Sequence, residues 1–308
     1  MMRFIWRNLP VFLIWLIGLS VLNNGLHHIS PPVTHILWLS VFPLACSLIL
    51  LWFSFIREHG QSVPGRYLFW AVIMSAVYFT PAMHEMSMPI EPVKQRLLYE
   101  ASALIQFVLI MVHSRTWFAK KEWIWVFGIT LLFGVILENG GIILGYFSEP
   151  EYLFYIRGFR APVATTIGWV NVLYCAFFAA QKILPVTRPL VRGIVCAAIG
   201  LSLDIPFDPV ATRLGWWVWN DSLDMSIWGV PVVNYLAWFW ALFPYTAIYY
   251  WFREREDIGE GRKAGFFIGM FPVILAVEII GVVLSLALIG DANAIMVLKD
   301  YLLSLYLR

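Results

Sequence analysis

Charged residues are scarce in this chain of 308 residues. Asp, Glu, Lys and Arg make up 13% of it and hydrophobic residues 61%, whereas an ordinary soluble domain has roughly 25% charged residues. No polar stretch is long enough to form a sizeable soluble domain, and the net charge of +2 is too small to indicate a nucleic-acid partner. The composition therefore predicts an all-α, polytopic membrane protein in which residues 1–308 form a single integral membrane domain in contact with lipid.

Patterns for disulfides and metals are also missing. The three cysteines fall in apolar runs and form no CxxC pair, so neither a disulfide framework nor a zinc site is indicated. The histidines lack the clustered spacing of a di-iron site and the HExxH pattern of a zinc site. We therefore predict that the protein uses neither a metal nor a cofactor. The residues concerned are Cys46, Cys175 and Cys196, with His27, His28, His35, His59, His84 and His113.

Apolar runs fill nearly the whole chain. A bilayer core about 30 Å thick needs roughly 20 apolar residues per helix, and polar breaks divide the runs into eight or nine predicted spans. Most Lys and Arg fall in alternate connecting segments, beginning with the N-terminus, which predicts a cytoplasmic N-terminus. We expect the membrane to be a prokaryotic cell membrane. The predicted spans are residues 9–22, 33–56, 67–83, 97–113, 123–147, 162–180, 193–207, 229–252 and 264–289.

Acidic residues inside these spans are candidates for function, because an ionisable side chain there costs about 2.5 to 3.5 kcal/mol on insertion scales. Glu138 lies within the fifth span, and Asp204 and Asp208 end the seventh on the same side of the membrane. Pro206 and Pro209 predict that a regular helix does not continue past this pair. With nearby amides, these acids predict a polar cluster in the outer half of the bilayer. The amides are Asn139, Asn171 and Asn234.

A repeated spacing links the two acidic segments. Glu138 is followed seven residues later by Gly145, and Asp208 is followed seven residues later by Gly215. A Pro-Val pair comes next in each segment, and a tryptophan stands seven residues after each proline, at Trp169 and Trp238. This spacing predicts a parallel internal repeat of helix pairs, 123–180 and 193–252, that encloses a central site.

The residue types at this predicted site suit acid catalysis on an apolar substrate. A carboxyl group in an apolar environment keeps its proton and can act as a Brønsted acid. Aromatic faces stabilise a developing cation, although Trp and Tyr also gather at membrane interfaces without any catalytic role. We expect Glu138 or Asp208 to donate the proton, with Asp204 tuning the donor. Asn139, Asn171, Asn234 and Tyr155 would position water or substrate, and the cation-stabilising aromatics would be Trp169, Trp216, Trp217, Trp219, Tyr235 and Trp238.

Two blocks of sequence resemble a known family. The pattern D-x3-DP-x5-GWWVW at 204–219, followed by GVPVVNYLAW at 229–238, resembles the membrane-integral carotenoid hydratases, which include enzymes of the bacterioruberin pathway. LENGGIILGY at 137–146 and APVATTIGW at 161–169 resemble the first acidic motif of that family. The resemblance covers residues 130–245. It implies a carotenoid or other isoprenoid substrate, protonation of a terminal double bond and capture of the carbocation by water, with no cofactor.

Two other functions remain open from the sequence. An isoprenoid cyclase would begin with the same protonation but capture the cation with an internal double bond. A transporter coupled to protons or ions would instead use Glu138, Asp208 and Glu278 as binding sites, and a duplicated pair of helices suits such a carrier. Product mass separates the two enzymes, because hydration adds one water and cyclisation adds nothing.

Overall fold

The computed structural model describes residues 2–14, 92–118, 120–150, 152–184 and 188–306, and these are helical over most of their length. The predicted predominantly helical class is therefore confirmed for the described residues. The helices are α1 (Met2–Arg7), α2 (Pro92–Trp117), α3 (Lys120–Leu144), α4 (Val163–Ile183), α5 (Pro189–Arg213), α6 (Val232–Arg253), α7 (Glu260–Gly269), α8 (Phe271–Ile289) and α9 (Ala292–Tyr306). Short strands lie between them: β1 (Phe147–Ser148), β2 (Val218–Trp219), β3 (Ser226–Ile227) and β4 (Val230–Pro231).

Four helices in the described part of the chain are long and apolar enough to cross a membrane. The apolar windows are Val126–Leu144 in α3, Val163–Gln181 in α4, Pro189–Pro209 in α5 and Phe271–Ile289 in α8. They indicate that the protein is associated with a membrane. The fourth predicted span is helical within α2, and the eighth is helical from Val232 onward, in α6. The second and third predicted spans and most of the first lie outside the described residues, so the total of eight or nine stays a prediction.

The expected helix break at Pro206 and Pro209 is wrong, because α5 runs without interruption from Pro189 to Arg213. A proline inside a helix removes one backbone hydrogen bond and its ring crowds the carbonyl of the preceding turn, at a cost of about 3 kcal/mol. Neighbouring helices make such prolines tolerable within apolar helices. Asp204 and Asp208 consequently lie one turn apart on the same face of one helix.

The last predicted span, 264–289, is wrong as a single helix. It is divided into α7 and α8 at Met270, and Pro272 lies in the first turn of α8. Proline is favoured at that position because the backbone N–H groups of the first turn have no partner within the helix, so a residue without an N–H loses no hydrogen bond. Helix α8 ends at Ile289, and Gly290, with φ of 81°, separates it from the tail helix α9.

Helix α4 lies at the centre of the bundle. It packs against α2, α3 and α5, and α5 makes its most extensive contact with α6. Aromatic rings fill the core between α3, α4 and α6: Phe133 stacks on Tyr245 with centroids 4.3 Å apart, and Phe177 stacks on Tyr249 at 4.5 Å. The core therefore fixes α3, α4, α5 and α6 relative to one another.

Two loops meet at one end of these helices. Strand β1 belongs to the α3–α4 loop and pairs antiparallel with β2 of the α5–α6 loop, with Phe147 opposite Trp219 and Ser148 opposite Val218. The Asn220 backbone N–H donates to the Tyr146 carbonyl at 2.9 Å and its side chain donates to the Gly145 carbonyl at 2.7 Å. The ends of α3 and α5 are thereby joined.

Close approach of α5 to α6 depends on Gly193. A Cβ at this position would lie 2.8 Å from the Ala247 Cβ and 3.0 Å from the Phe243 carbonyl oxygen. Gly193→Ala should therefore destabilise the fold by about 1 to 3 kcal/mol, as overpacking does elsewhere. Chemical unfolding of the detergent-solubilised protein measures this difference.

Gly128→Ala is the matched control, because a Cβ there meets nothing within 4 Å. It should be neutral, or stabilising by up to about 1 kcal/mol through helix propensity. Equal stability of the Gly193→Ala and Gly128→Ala variants would contradict the proposed packing of α5 on α6.

Candidate functional site

An aspartate pair on α5 faces an asparagine on α6. Asp204 and Asp208 are only 2% and 3% exposed. The Asn234 Nδ2 donates to the Asp204 Oδ2 at 3.0 Å and to the Asp208 Oδ2 at 2.5 Å. Because one Nδ2 atom donates to both carboxyl groups, these two groups lie close together. Two neighbouring carboxyl groups in an apolar site resist ionising together, so this pair can hold a proton next to a carboxylate.

Glu138 on α3 is held by a tryptophan of α4. The Trp169 Nε1 donates to the Glu138 Oε1 at 2.6 Å, and the Trp169 ring stacks on Trp238 of α6 with centroids 4.2 Å apart and an interplanar angle of 21°. Gly134, one turn before Glu138, permits this approach, because a Cβ there would lie 2.6 Å from the Thr166 carbonyl oxygen. The stacked tryptophans connect the two predicted repeat segments.

The acids of both segments lie together. Glu138 is close enough to Asp204 and Asp208 for electrostatic interaction with each of them. Of the polar residues predicted to cluster, Asn234 contacts both aspartates and Glu138 lies within electrostatic range of them. The assignment of these residues to the outer half of the bilayer stays a prediction.

A fourth carboxyl group joins this cluster from the α3–α4 loop. Glu149 follows β1, is 6% exposed and accepts a hydrogen bond from the Thr165 Oγ1 at 3.3 Å. Burial, reinforced by the nearby charge of Glu138, raises the pKa of Glu149 well above its ordinary value of 4.5. Sequence reasoning missed this residue, because an acid in a polar loop is ordinarily solvated and no spacing distinguishes Glu149 from such an acid.

Tyr99 of α2 is a second residue that sequence reasoning missed. Its ring stacks on Trp216 with centroids 4.5 Å apart. It is close enough to Glu149, Glu138 and Asp208 for electrostatic interaction with each of them. Tyr99 lies outside the sequence blocks that carried the family resemblance, so no motif pointed to it.

The three predicted amides have different surroundings. The Asn139 Oδ1 accepts hydrogen bonds from the backbone N–H groups of Arg160 and Ala161 at 2.6 and 3.1 Å, and its Nδ2 donates to the Val135 carbonyl at 2.8 Å. The Asn171 Nδ2 donates to the Ala103 carbonyl of α2 at 3.0 Å. Of the three, only Asn234 directs its amide at the acids.

The predicted aromatics divide into those beside the acids and those that hold the loops. Trp169, Trp238 and Trp216 belong to the first group through the contacts described above. Trp217 is buried against Phe207. Loop-holding hydrogen bonds run from Trp219 Nε1 to Thr212 Oγ1 at 2.8 Å, from Tyr155 Oη to the Glu149 carbonyl at 2.7 Å and from Tyr235 Oη to the Ile227 carbonyl at 3.4 Å.

Several buried polar atoms near the acids have no hydrogen-bond partner within the described residues. They are the Asp204 Oδ1, the Tyr152 Oη and the Trp216 Nε1. Buried polar groups are normally satisfied, so these atoms are available to a polar ligand atom such as a hydroxyl group or water. In the described part of the chain, no group of three or more His, Cys, Asp and Glu side chains is arranged to hold a metal ion.

Fold and site together define a helical membrane protein with a cluster of buried carboxyl groups between aromatic rings. A family model described as carotenoid biosynthesis protein matches residues 99–304, and the chain belongs to this family. The match includes Tyr99, Glu149 and both acidic segments. No curated protein and no solved structure matches the chain. Family membership gives the protein a role in carotenoid biosynthesis, consistent with modification of a hydrophobic carotenoid in the membrane.

The buried Glu149 should make stability depend on pH. Its pKa is raised in the folded state, so between 4.5 and that raised pKa the folded protein keeps a proton that the unfolded chain has released. Stability therefore falls as pH rises through this window. Glu149→Gln should remove this fall, making the variant more stable than the wild type above the window and similar to it at acidic pH.

Thermal unfolding in detergent across a series of pH values measures this effect. The exposed Glu256 provides the control, because Glu256→Gln should leave the pH profile unchanged. If the thermal stability of Glu149→Gln depends on pH as strongly as that of the wild type, Glu149 is not buried among these acids.

Proposed function

We propose that the protein hydrates a terminal carbon–carbon double bond of an acyclic carotenoid by acid catalysis. The proposal rests above all on the proximity of the Asp204–Asp208 pair, which can hold a proton, to a separate carboxyl group at Glu138. Addition of water to an alkene needs a proton donor on one side of the reaction and a proton acceptor on the other. Membership of the carotenoid biosynthesis family supplies the substrate class.

The aspartate pair is the proposed donor. Its proton is transferred to the less substituted carbon of the double bond, so that a C–H bond forms from the π electrons and a tertiary carbocation remains on the other carbon. In this scheme Asp208 donates the proton, and Asp204 is the residue with which it shares that proton beforehand. Asn234 keeps both carboxyl groups oriented by donating to each of them.

Glu138 is the proposed base. A carboxylate is a stronger acceptor than a neutral carboxyl group for the Trp169 N–H bond. Water adds to the cation, a C–O bond forms, and the released proton passes to Glu138. Its return to the aspartate pair completes the cycle, and we propose that Glu149, which interacts with both Glu138 and Asp208, relays it.

Two stacked aromatic pairs would stabilise the cation. The Trp169–Trp238 pair and the Tyr99–Trp216 pair both adjoin the acids, and the face of an indole attracts a positive charge. Trp217, Trp219, Tyr235 and Tyr155 would shape the wall of the site through the loops. Asn139 and Asn171 would act indirectly, because their amides bind backbone groups of a loop and of α2.

We further propose that the site is built from a parallel repeat of helix pairs. Gly145 and Gly215, seven residues after their acids, both have positive φ, at 83° and 67°. Ser148 and Val218, each three residues further on, pair with each other in the β1–β2 ladder. Trp169 and Trp238, the equivalent residues of the second helices, stack on each other. Contacts of equivalent residues with one another are expected near a two-fold axis between repeats.

Amide substitutions test the proposed chemistry. Asp208→Asn and Glu138→Gln should each lower product formation by at least about a hundredfold, because each removes one partner in proton transfer. The measurement is expression in a carotenoid-producing bacterium followed by mass analysis of extracted pigments, in which the wild type adds the mass of one water. An isomer of unchanged mass would instead indicate a cyclase.

Glu278→Gln is the matched control. Glu278 also lies within an apolar window, but among the described residues no charged side chain is close enough to interact with it. This variant should keep wild-type hydration. Full activity of both Asp208→Asn and Glu138→Gln, with the protein present in the membrane, would refute acid catalysis at this site.

Trp169→Phe separates the two roles assigned to Trp169. Phenylalanine keeps an aromatic face against Trp238 but cannot donate to Glu138, so hydration should fall by roughly tenfold, the effect of losing about 1.5 kcal/mol from a hydrogen bond to a charged group. Hydration by Trp169→Leu should fall further, because this variant also loses the aromatic face. Rates of product accumulation at equal protein level measure both, and equal losses in the two variants would argue against a role for the ring face.

A further inference from the structure

The tip of the α3–α4 loop exposes an unusual number of large apolar side chains. Residues 153–160 are all exposed. The exposed fractions of the five large apolar side chains are 59% for Leu153, 60% for Phe154, 41% for Tyr155, 49% for Ile156 and 46% for Phe159. Contiguous exposed apolar side chains of this kind mark an interaction surface.

Hydrogen bonds fix this tip in place. The Val163 N–H donates to the Phe154 carbonyl at 2.9 Å, and the Phe159 N–H donates to the Ile156 carbonyl at 3.0 Å beside Gly158, whose φ is 92°. At the base of the loop, the Leu153 N–H donates to the buried Glu100 carboxylate at 2.8 Å. These hydrogen bonds therefore hold the loop in a conformation that leaves the apolar side chains exposed.

The loop lies at the end of the apolar slab. It connects the apolar window that ends at Leu144 with the one that begins at Val163. A loop that joins two such helices must lie at the membrane surface, where aromatic and aliphatic side chains enter the headgroup and upper acyl region.

Charge identifies the partner. Arg157 and Arg160 are exposed at the tip, and their side chains form no hydrogen bond or ion pair within the described residues. The neighbouring α5–α6 loop instead exposes the acids Asp221 and Asp224. Two loops at the same end of the bundle thus have opposite character, one apolar and basic and the other acidic, and only the first is complementary to an anionic phospholipid surface.

We propose that the tip, residues 153–160, inserts its apolar side chains into the bilayer interface, while Arg157 and Arg160 bind the phosphates of anionic phospholipids. The bilayer then holds the loop that also carries Glu149 and that Asn139 fastens to α3. This interaction goes beyond the hydratase reaction and does not depend on it.

An environment-sensitive fluorophore at the tip tests the insertion. The full chain carrying Phe154→Cys, with Cys46→Ser to leave only the buried Cys175 and Cys196 besides it, is labelled with a nitrobenzoxadiazole maleimide and reconstituted into phosphatidylcholine vesicles. Phospholipids with a nitroxide near the headgroup, present in both leaflets, should quench this label strongly. The same label at Ser222→Cys in the acidic loop should be quenched weakly.

Anionic lipid tests the role of the arginines. Adding phosphatidylglycerol to the vesicles should increase quenching at position 154, and Arg157→Gln together with Arg160→Gln should abolish this increase. Leu153→Cys provides a second labelling position in case the first variant fails to reconstitute. Quenching at 153 and 154 no stronger than at 222 would overturn the insertion, and an unchanged lipid response in the double arginine variant would overturn the phosphate interaction.

Discussion

The shared hydrogen bonds from Asn234 to Asp204 and Asp208 are the interaction on which the site depends. Two carboxyl groups one turn apart on an apolar helix would be costly if left without donors. A single amide on α6 serves both of them, and it does so only because α5 continues as a regular helix past Pro206 and packs closely on α6. The geometry that gives each acid a donor also brings the two carboxyl groups close together.

A second set of contacts places Glu138 against this pair. The β1–β2 ladder joins the ends of α3 and α5, and the stacked rings of Trp169 and Trp238 join α4 to α6. Trp169 stacks on Trp238 of α6 and also donates to Glu138. A shift of α6 would therefore move Trp169 and disturb its hydrogen bond to Glu138. The proposed donor and the proposed base thus belong to one packed unit, which suits the proposed transfer of a proton between them.

The sequence was sufficient to predict the helical membrane class, because apolar runs fill the chain. It also predicted that Glu138 lies near Asp208, because acids are rare in apolar spans and the glycine and tryptophan spacings recur. It was not sufficient for the helix through Pro206 and Pro209, since local propensity favours a break that packing overrides. Glu149 and Tyr99 were missed for another reason: their burial results from tertiary contacts with Thr165 and Trp216. Asn139 was expected to position water, whereas its amide is occupied by loop backbone, a partner that no spacing reveals.

Infrared absorption of the carboxyl C=O stretch, in protein carrying isotope-labelled aspartate, tests whether these acids form one site. We expect a hydrogen-bonded, protonated aspartate at neutral pH if Asp204 and Asp208 share a proton as proposed. We also expect Glu138→Gln to shift this absorption and Glu278→Gln to leave it unchanged. Absence of a protonated aspartate at neutral pH, or an absorption indifferent to Glu138→Gln, would contradict the proposal that the acids of the two helix pairs form one site.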